Sequence, residues 1–172
     1  MARRWHGLLD ALGPLAYTDQ QSRMDEGYPH GEYHYWRSCF LDDLTDQVID
    51  ILIDRASNLQ GPPALELIVE HVGGAIAAGD GAFAHRDARY DVLIAANWND
   101  PADQDRCTAW ARETAAALEP HSRGGYVNYQ PDADGEHVPG AYGERIARLR
   151  AVKAQYDPHN VFRLNQNVTP AP

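Results

Sequence analysis

Two clusters of phenol and amide side chains near the end of the chain carry groups with which a protein could bind and orient a polar ligand. They are Tyr126-Val127-Asn128-Tyr129 and Asn165-Gln166-Asn167. A buried amide or phenol that lacks a hydrogen-bond partner costs roughly 1–3 kcal/mol, so each cluster predicts a polar partner beside it. That partner is either nearby loop backbone, which asparagine side chains bind in many turns, or a ligand.

An amphipathic helix separates the two clusters. Asp157-Pro158 ends it, because the residue before a proline is forced away from helical geometry. Its apolar positions at helical spacing are Tyr142, Ile146, Leu149 and Val152 or Lys153. The first cluster has the alternation of a strand, which predicts Tyr126 and Asn128 on one face and Tyr129 on the other.

Composition limits the class of protein. The chain has 172 residues, enough for one domain with a real core. Its formal net charge of −10 argues against nucleic acid or an anionic membrane as partners, because both attract clustered lysine and arginine. Cys39 and Cys107 have no disulfide framework or metal-ligand spacing, so both are expected to be buried thiols. No apolar run reaches the length of a membrane span, and a cytoplasmic location is expected.

Strand and helix patterns alternate along the chain. Strands are predicted from Tyr33, over Leu65–Val72 and, as a buried central strand, over Asp91–Trp98. Helices follow the first and third of these strands. The order predicts an α+β fold, a mainly antiparallel sheet covered on one face by helices. A helix over residues 3–12 and a polar surface loop over residues 17–32 are expected before the first strand.

Each of the two helices is predicted to place one face against the sheet. Asp43 is the expected N-cap of the first, and Asn99-Asp100-Pro101 starts the second. The inner face of the first is predicted as Leu44, Val48, Ile49, Leu52, Ile53 and Ala56, and that of the second as Cys107, Trp110, Ala111, Thr114, Ala117 and Leu118. The acidic row Asp42, Asp46, Asp50 and Asp54 is expected to be a solvated face that holds no metal.

The segment YVNY at 126–129 and the segment AYGERIARLRAVKAQYDPHNVFRLNQN at 141–167 closely resemble the C-terminal region of berberine-bridge-enzyme-like oxidases. These are FAD-linked oxidases of the vanillyl-alcohol-oxidase type. The resemblance runs from about residue 10 to residue 170. It implies FAD as cofactor, a small hydroxylated substrate (an alcohol, sugar or secondary metabolite) and O₂ as electron acceptor.

The resemblance also implies a domain organisation. Residues 1–172 are expected to form one substrate-binding and berberine-bridge C-terminal domain, with a helix and loop over 1–32 and the motif region over 124–170. Family members bind FAD in a separate N-terminal domain, which nothing in this sequence matches. The chain is therefore expected to be a fragment, a relic, or one half of a split enzyme whose partner is a separately encoded FAD-binding domain. Assembly as a homo-oligomer is the other expectation.

In the family a tyrosine of the YxNY segment is the base that takes the substrate hydroxyl proton during hydride transfer to flavin N5. By resemblance Tyr126 is the first candidate and Tyr129 the second. An unperturbed phenol has a pKa of about 10, so this role requires a cation or hydrogen-bond donor that stabilises the phenolate. Asn128, Asn165 and Asn167 resemble the residues that contact or surround the isoalloxazine ring.

The resemblance also points to residues on the substrate side. The first strand is similar to the part of the family sheet that faces the flavin, and a His-Arg pair follows a glycine-pair motif and a short strand. The substrate-binding candidates are Tyr33, Tyr35, Trp36, Arg37, His85 and Arg86. The alternatives are plain core for the first four and a capping and salt-bridge pair for the last two. Ala78 and Gly81 depart from the family, which has longer polar residues there.

Three further motifs are interpreted as structural. His71 is a lone histidine on a mostly apolar strand face, for which a core or edge position is favoured over catalysis. In the YDPxNxF signature, Pro158 breaks the helix, Asn160 stabilises a turn and Phe162 returns to the core. The rival to the enzyme hypothesis is a non-catalytic domain that binds a small ligand or a protein. Exposure of the aromatic and amide residues would favour the enzyme, and burial under the chain's own helices would favour the rival.

Overall fold

A computed structural model of the chain describes residues 13–23, 25–57, 64–131 and 138–172. The chain divides into two compact units, Met1–Glu32 and Tyr33–Pro172. None of the helices in the described residues is both long and apolar enough to cross a membrane.

The first unit contains helix α1, Tyr17–Ser22, and a 3-10 turn at Asp25–Gly27. The prediction of a loop over residues 17–32 is therefore wrong at the start of that range. Asp19 lies in the first turn of α1, where the helix dipole favours negative charge. The helix predicted over residues 3–12 lies outside the described residues.

The second unit is built on a three-stranded antiparallel sheet of β1 (Tyr33–Leu41), β2 (Ala64–His71) and β3 (Tyr90–Trp98), in the order β1-β3-β2. The strands predicted from Tyr33, in the run after Leu65 and over Asp91–Trp98 are confirmed, and so is the α+β class. The almost uninterrupted apolar run of β3 makes it the central strand, because a strand buried on both faces has no need of polar alternation.

The sheet has two different faces. On one, α2 (Asp46–Ala56) and α3 (Gln104–Leu118) bury the main core. The other face, called the loop face here, meets the segments 72–88 and 122–130 through a second small cluster around Phe40. Side chains alternate between the two faces along each strand. The loop-face residues are His34, Trp36, Ser38 and Phe40 of β1, Asp91, Leu93, Ala95 and Asn97 of β3, and Glu66, Ile68 and Glu70 of β2.

Helix α2 begins later than predicted, and its inner face is rotated. Thr45 is the N-cap, with Oγ1 accepting from Val48 N at 3.3 Å, whereas Asp43 accepts only from Leu44 N. Ile49 and Ile53 are 38% and 59% exposed, which contradicts their predicted place on the inner face. Successive residues turn by about 100°, so Ile49 lies about 100° and Ile53 about 140° around the helix from the buried Val48, and both fall outside the inner face.

Helix α3 follows its prediction closely. Asp100 caps the preceding 3-10 turn, Pro101–Asp103, by accepting from Ala102 N at 2.9 Å, and the helix ends at Leu118. The residues buried from this helix are Cys107, Ala111, Thr114, Ala115 and Leu118. Ala115 was not predicted, and Trp110 and Ala117 are only half-buried.

The segment 122–125 pairs with the outer edge of β1. Arg123 N donates to Phe40 O at 2.9 Å, and Phe40 N donates to Gly124 O at 2.8 Å. Gly124 has a φ of +130°, and a Cβ at Gly125 would lie 2.0 Å from Gln130 Nε2 and 2.6 Å from Ser38 O. This approach therefore requires glycine. The short strand expected after the earlier glycine pair is wrong, because residues Gly74–Ala77 form a 3-10 turn.

Two helices close the chain, α4 (Val138–Tyr142) and α5 (Ile146–Tyr156). The single helix predicted here is divided, because Tyr142 belongs to α4. Its end is as predicted: α5 ends at Tyr156 with Asp157 as its C-cap. The Asp157 carboxylate accepts from Val161 N at 2.7 Å, from Phe162 N at 3.1 Å and from Lys153 Nζ at 2.5 Å. Asn160 takes the turn with a φ of +51°. The prediction that Phe162 returns to the core is wrong, since its side chain is 82% exposed. The backbone N–H groups of Val161 and Phe162 point toward the Asp157 carboxylate, and the side chains lie on the outside of the turn.

We expect Asp157→Asn to loosen this turn, because a neutral amide has one acceptor oxygen and cannot serve two backbone amides and Lys153. Hydrogen exchange at Val161 N and Phe162 N should accelerate about tenfold or more. The Lys153 hydrogen bond lowers the Asp157 pKa, so wild-type protection should persist at neutral pH and fade below about pH 4. Asp50→Asn, on the exposed side of α2, is the control; unchanged protection in Asp157→Asn would contradict the role of the carboxylate.

We expect Gly125→Ala to lower the free energy of unfolding by about 1–3 kcal/mol, because the new Cβ would overlap Gln130 and the β1 backbone. Gly140→Ala is the matched control, since a Cβ there meets no atom within 4 Å. Urea unfolding of both variants checks this. Equal midpoints for the two would contradict a close approach at Gly125.

Candidate active site on the loop face

The first phenol and amide cluster forms a turn rather than the predicted strand. Residues Val127–Tyr129 are a 3-10 helix, and Tyr126 N donates to Ser38 Oγ of β1 at 2.7 Å. A 3-10 turn brings residues i and i+3 to the same side. The rings of Tyr126 and Tyr129 therefore meet edge to face with centroids 5.2 Å apart, whereas the strand pattern predicted them on opposite faces.

These tyrosines continue an aromatic row across the loop face. Trp36 lies 5.9 Å from Tyr129, and His34 lies 5.8 Å from Trp36, both edge to face. At the other end Phe83 lies 6.4 Å from Tyr126. Each contact has the geometry in which the positive edge of one ring meets the negative face of the next. The row therefore consists of His34, Trp36, Tyr129, Tyr126 and Phe83.

Two amide side chains form hydrogen bonds with polar atoms of this row. Asn128 Nδ2 donates to Tyr126 Oη at 2.8 Å. Asn97 Oδ1, on β3, is 2.7 Å from Trp36 Nε1 and 2.8 Å from His34 Nδ1. A hydrogen-bond donor thus lies at the phenol oxygen of Tyr126, and the rings of His34 and Trp36 are tied to the central strand.

A buried carboxylate lies below the turn. Asp91 is directly opposite Glu70 in the sheet. The side chain of Ser38, which accepts from Tyr126 N, is hydrogen-bonded to the Asp91 carboxylate. Burial, with a smaller contribution from the Glu70 charge, raises the pKa of Asp91 to about 6. Asp91 Oδ1 has no hydrogen-bond partner in the described part of the chain. The hydroxyl of Ser38 thus links the Tyr126 backbone to a carboxylate that titrates near neutral pH.

The four substrate-side candidates on β1 are divided between the two faces. Trp36 belongs to the aromatic row. Tyr33 stacks on Trp98 at 5.9 Å, and Tyr35 is buried beneath α3, where it accepts from Arg112 Nε at 2.8 Å. Tyr35 belongs to the helix-side core, and the strand period of two places Tyr33 and Arg37 on that same side. The structure therefore does not bring these three together with Tyr126 and Tyr129.

His85 and Arg86 make structural contacts. His85 is buried, stacks on Phe40 at 4.6 Å and donates from Nε2 to Gly140 O at 3.0 Å. Burial lowers its pKa, so the ring is neutral at pH 7. Arg86 Nη1 donates to Ile76 O and Ala78 O at 2.6 and 2.7 Å. The two side chains fasten loops over the second cluster, a position closer to the structural alternative than to a ligand contact.

His71 is exposed and contacts Tyr90 edge to face. This is the edge position that the strand pattern favoured. Among the described residues no group of three or more histidine, cysteine, aspartate or glutamate side chains is placed to hold a metal ion.

The tail amides reach the same region as the tyrosine turn. Gln166 Nε2 donates to the backbone oxygen of Gln130, which directly follows Tyr129. Asn165 has a φ of +58°, and Asn167 N donates to Asn165 O at 2.8 Å. Asn167 Oδ1 is buried without a partner in the described residues. The two phenol and amide clusters are thus brought together through Gln166 and Gln130.

Four polar residues of this region were not predicted: His34, Ser38, Asp91 and Asn97. For the two residues on β1, the signal is the alternation of side chains between the two faces of a strand. Trp36 was a candidate, and on a strand its neighbours at i−2 and i+2 share its face. The β3 partners follow only from the register, which the sequence does not state.

We expect Asp91→Asn to stabilise the fold at pH 7 by at most about 3 kcal/mol, because it removes a buried charge. In the wild type the folded state holds the proton more tightly than the unfolded state. Its free energy of unfolding should therefore fall as pH rises from about 4 to about 6. Urea unfolding between pH 4 and 7 checks this: the slope should vanish in Asp91→Asn and persist in the exposed control Asp87→Asn. A slope that survives in Asp91→Asn would show that another group causes it.

Comparisons with known proteins show which family the chain resembles. Residues 125–169 match the family model described as berberine and berberine like. An FAD-linked oxidoreductase of Dictyostelium discoideum is 28% identical over 171 residues, which are 95% of this chain and 36% of that protein. The FAD-linked oxidoreductase YgaK of Bacillus subtilis is 37% identical over 131 residues, which are 76% of this chain and 29% of that protein.

The fold matches solved structures as well. Xylooligosaccharide oxidase from Myceliophthora thermophila, solved with xylobiose, superposes with a TM-score of 0.68 at 24% identity, over 86% of this chain and 35% of that one. The chain spans about a third of the length of the curated relatives it matches. Over nearly its whole length the chain matches the C-terminal region of berberine-bridge-enzyme-like FAD-linked oxidases.

Proposed function

We propose that the chain is the substrate side of an FAD-linked oxidase that oxidises a hydroxyl group of an alcohol, a sugar or a secondary metabolite. The observation that carries the proposal is the 126–129 turn, which sets two phenols side by side on the loop face with an amide donor at one phenol oxygen. Relatives named xylooligosaccharide oxidase and chitooligosaccharide oxidase support a hydroxylated substrate.

The residues beside the turn fit a flavin. Its pyrimidine ring has one N–H between two carbonyl groups, so a complementary site needs an acceptor and donors. Asn167 offers a buried oxygen without a partner among the described residues, and Asn128 and Asn165 add exposed amides. These three are proposed to hold or surround the ring. Bound FAD would supply the acceptor for a hydride from the substrate carbon, with O₂ as the final oxidant and hydrogen peroxide as product.

The proposed role of the chain's own side chains is to bind the substrate and take its proton. Tyr126, with Tyr129 as the second candidate, removes the proton from the substrate hydroxyl while the hydride leaves the carbon that bears this hydroxyl. The amide of Asn128 donates to the oxygen where the proton arrives, and a donor placed there stabilises the phenolate form that must be present before the proton is taken. Trp36 forms the adjoining wall through its edge-to-face contact with Tyr129.

The remaining part of the oxidase is the proposed partner. Apolar side chains at the end of the last helix and after it are strongly exposed: Tyr156 77%, Val161 70%, Phe162 82% and Leu164 86%. An apolar patch of this kind marks an interaction surface in soluble proteins. A flavin-binding region, carried by the same protein or by a separate one, would cover it. In the second unit Trp36, Tyr126 and Tyr129 are half-buried, which supports the enzyme. Tyr35 is buried beneath α3, which supports the non-catalytic domain.

The test pairs this chain with the part of YgaK that it does not match, by co-expression. We expect a yellow complex that absorbs at about 450 nm, loses that band under anaerobic conditions with a sugar or alcohol substrate, and makes hydrogen peroxide in air. A colourless preparation, or a yellow one that no hydroxylated compound reduces, would overturn the oxidase proposal.

In that complex, Tyr126→Phe should slow flavin reduction about 10²- to 10⁴-fold without changing flavin content, because it removes a general base. Tyr129→Phe tests the second candidate in the same way. Tyr17→Phe, an exposed tyrosine of the first unit, is the control. Wild-type reduction rates in both Tyr126→Phe and Tyr129→Phe would show that the base is another group.

A further inference from the structure

The hydrogen bonds at the end of the aromatic row fix which nitrogen of His34 carries a proton. The indole nitrogen of Trp36 can only donate, so the Asn97 atom 2.7 Å from it must be the amide oxygen. The same oxygen lies 2.8 Å from His34 Nδ1. Because an amide oxygen only accepts, Nδ1 must donate. A neutral imidazole has a single N–H, so its lone pair lies at Nε2.

The lone pair of His34 is available to a ligand. His34 is exposed, and within the described residues its only hydrogen bond is the one to Asn97. The anchor itself is buried, since Asn97 is 5% exposed on the central strand. Three side chains are thus arranged to present one hydrogen-bond acceptor beside a row of rings. An incidental surface histidine would need no such anchor.

The position of His34 defines which part of a ligand it would contact. His34 and Trp36 are two residues apart on β1, about 7 Å along a strand, and Trp36 separates His34 from Tyr129. A ligand that reacts at Tyr126 or Tyr129 meets His34 only if it extends across Trp36. The contact therefore lies away from the reacting hydroxyl.

We propose that His34 is a specificity-determining residue whose Nε2 accepts a hydrogen bond from a hydroxyl group of the substrate at a point remote from the oxidised carbon. The inference rests on the proposed function for its setting. Its chemistry is that of this chain alone: Trp36 orients Asn97, Asn97 orients the imidazole, and the imidazole accepts. Such a site rejects an analogue without the hydroxyl, because Nε2 would then be desolvated without a partner.

The first experiment uses the 172-residue chain alone, so it is independent of flavin binding. Long-range ¹H–¹⁵N NMR near pH 8 should show His34 protonated at Nδ1. In Trp36→Phe the indole donor is gone and the Asn97 amide is free to turn, so a mixture of tautomers should appear. His34 protonated at Nε2 in the wild type would overturn the proposal.

The second experiment titrates the same chain with cellobiose and with fully O-methylated cellobiose, which has similar rings and no hydroxyl donors. Cellobiose should shift the His34 Nε2 resonance and bind at least tenfold more tightly than the methylated sugar. His34→Phe keeps an aromatic ring against Trp36 and should erase that preference, whereas His30→Phe in the first unit should keep it. Absence of any shift with cellobiose, or an unchanged preference in His34→Phe, would contradict the acceptor role.

In the co-expressed oxidase, His34→Phe should raise KM for a hydroxylated disaccharide about tenfold and change kcat less than twofold, whereas Tyr126→Phe should lower kcat. This division separates a specificity residue from a structural one. If no oxidase forms, the two experiments on the chain alone still decide the role of His34. A His34→Phe enzyme with unchanged KM would overturn the proposal while leaving the oxidase function intact.

Discussion

The close pairing of Gly124-Gly125 with the outer edge of β1 is the constraint on which the candidate site depends. Gly124 O accepts from Phe40 N in a backbone conformation that favours glycine, and no side chain would fit between Gly125, Ser38 and Gln130. Because the chain lies this close, Tyr126 N reaches Ser38 Oγ. The turn that follows can then set both tyrosines over the loop face instead of continuing along the strand.

The loop face combines apolar rings with polar groups whose positions are fixed from below. Asn97 anchors Trp36 and His34, and Ser38 joins the Tyr126 backbone to the buried Asp91. A surface that combines a row of aromatic rings with a few oriented polar groups is typical of sites for small organic ligands. This arrangement leaves the Asp91 carboxylate desolvated next to Glu70, and its pKa is raised because of burial first and the Glu70 charge second.

Much of the fold could be predicted because strong local patterns decide it. The apolar run of β3, the aromatic run of β1 and the Asn-Asp-Pro start of α3 leave few alternatives. The inner face of α2 was misassigned because Ile49 and Ile53 are as apolar as Val48, and only contact with the sheet chooses among them. The 126–129 segment has the composition of a strand. Its turn comes from tertiary contacts with Ser38 and Gln130 that no local pattern contains.

The site was predicted in part for the same reason. The tyrosines, the amides and Trp36 belong to recognisable segments, but the period of two along β1 sends Tyr33, Tyr35 and Arg37 to the helix side. The imidazole of His34 is oriented by its hydrogen bond to Asn97, which lies 63 residues away in sequence. The sheet register alone brings the two residues together. Pairings of this length are invisible to a pattern that spans a few residues.

The tail after the last helix links the proposed partner surface to the candidate site. Asp157 and Lys153 form a nearly buried pair that holds the backbone of the turn, so Val161 and Phe162 are presented outward in a fixed shape. A surface ordered in advance loses less conformational entropy when it is covered. The same tail returns through Gln166 to Gln130, beside Tyr129. A partner that packs on the exposed apolar residues would therefore also constrain the amides at the tyrosine turn, and the proposed flavin-binding region would meet both surfaces together.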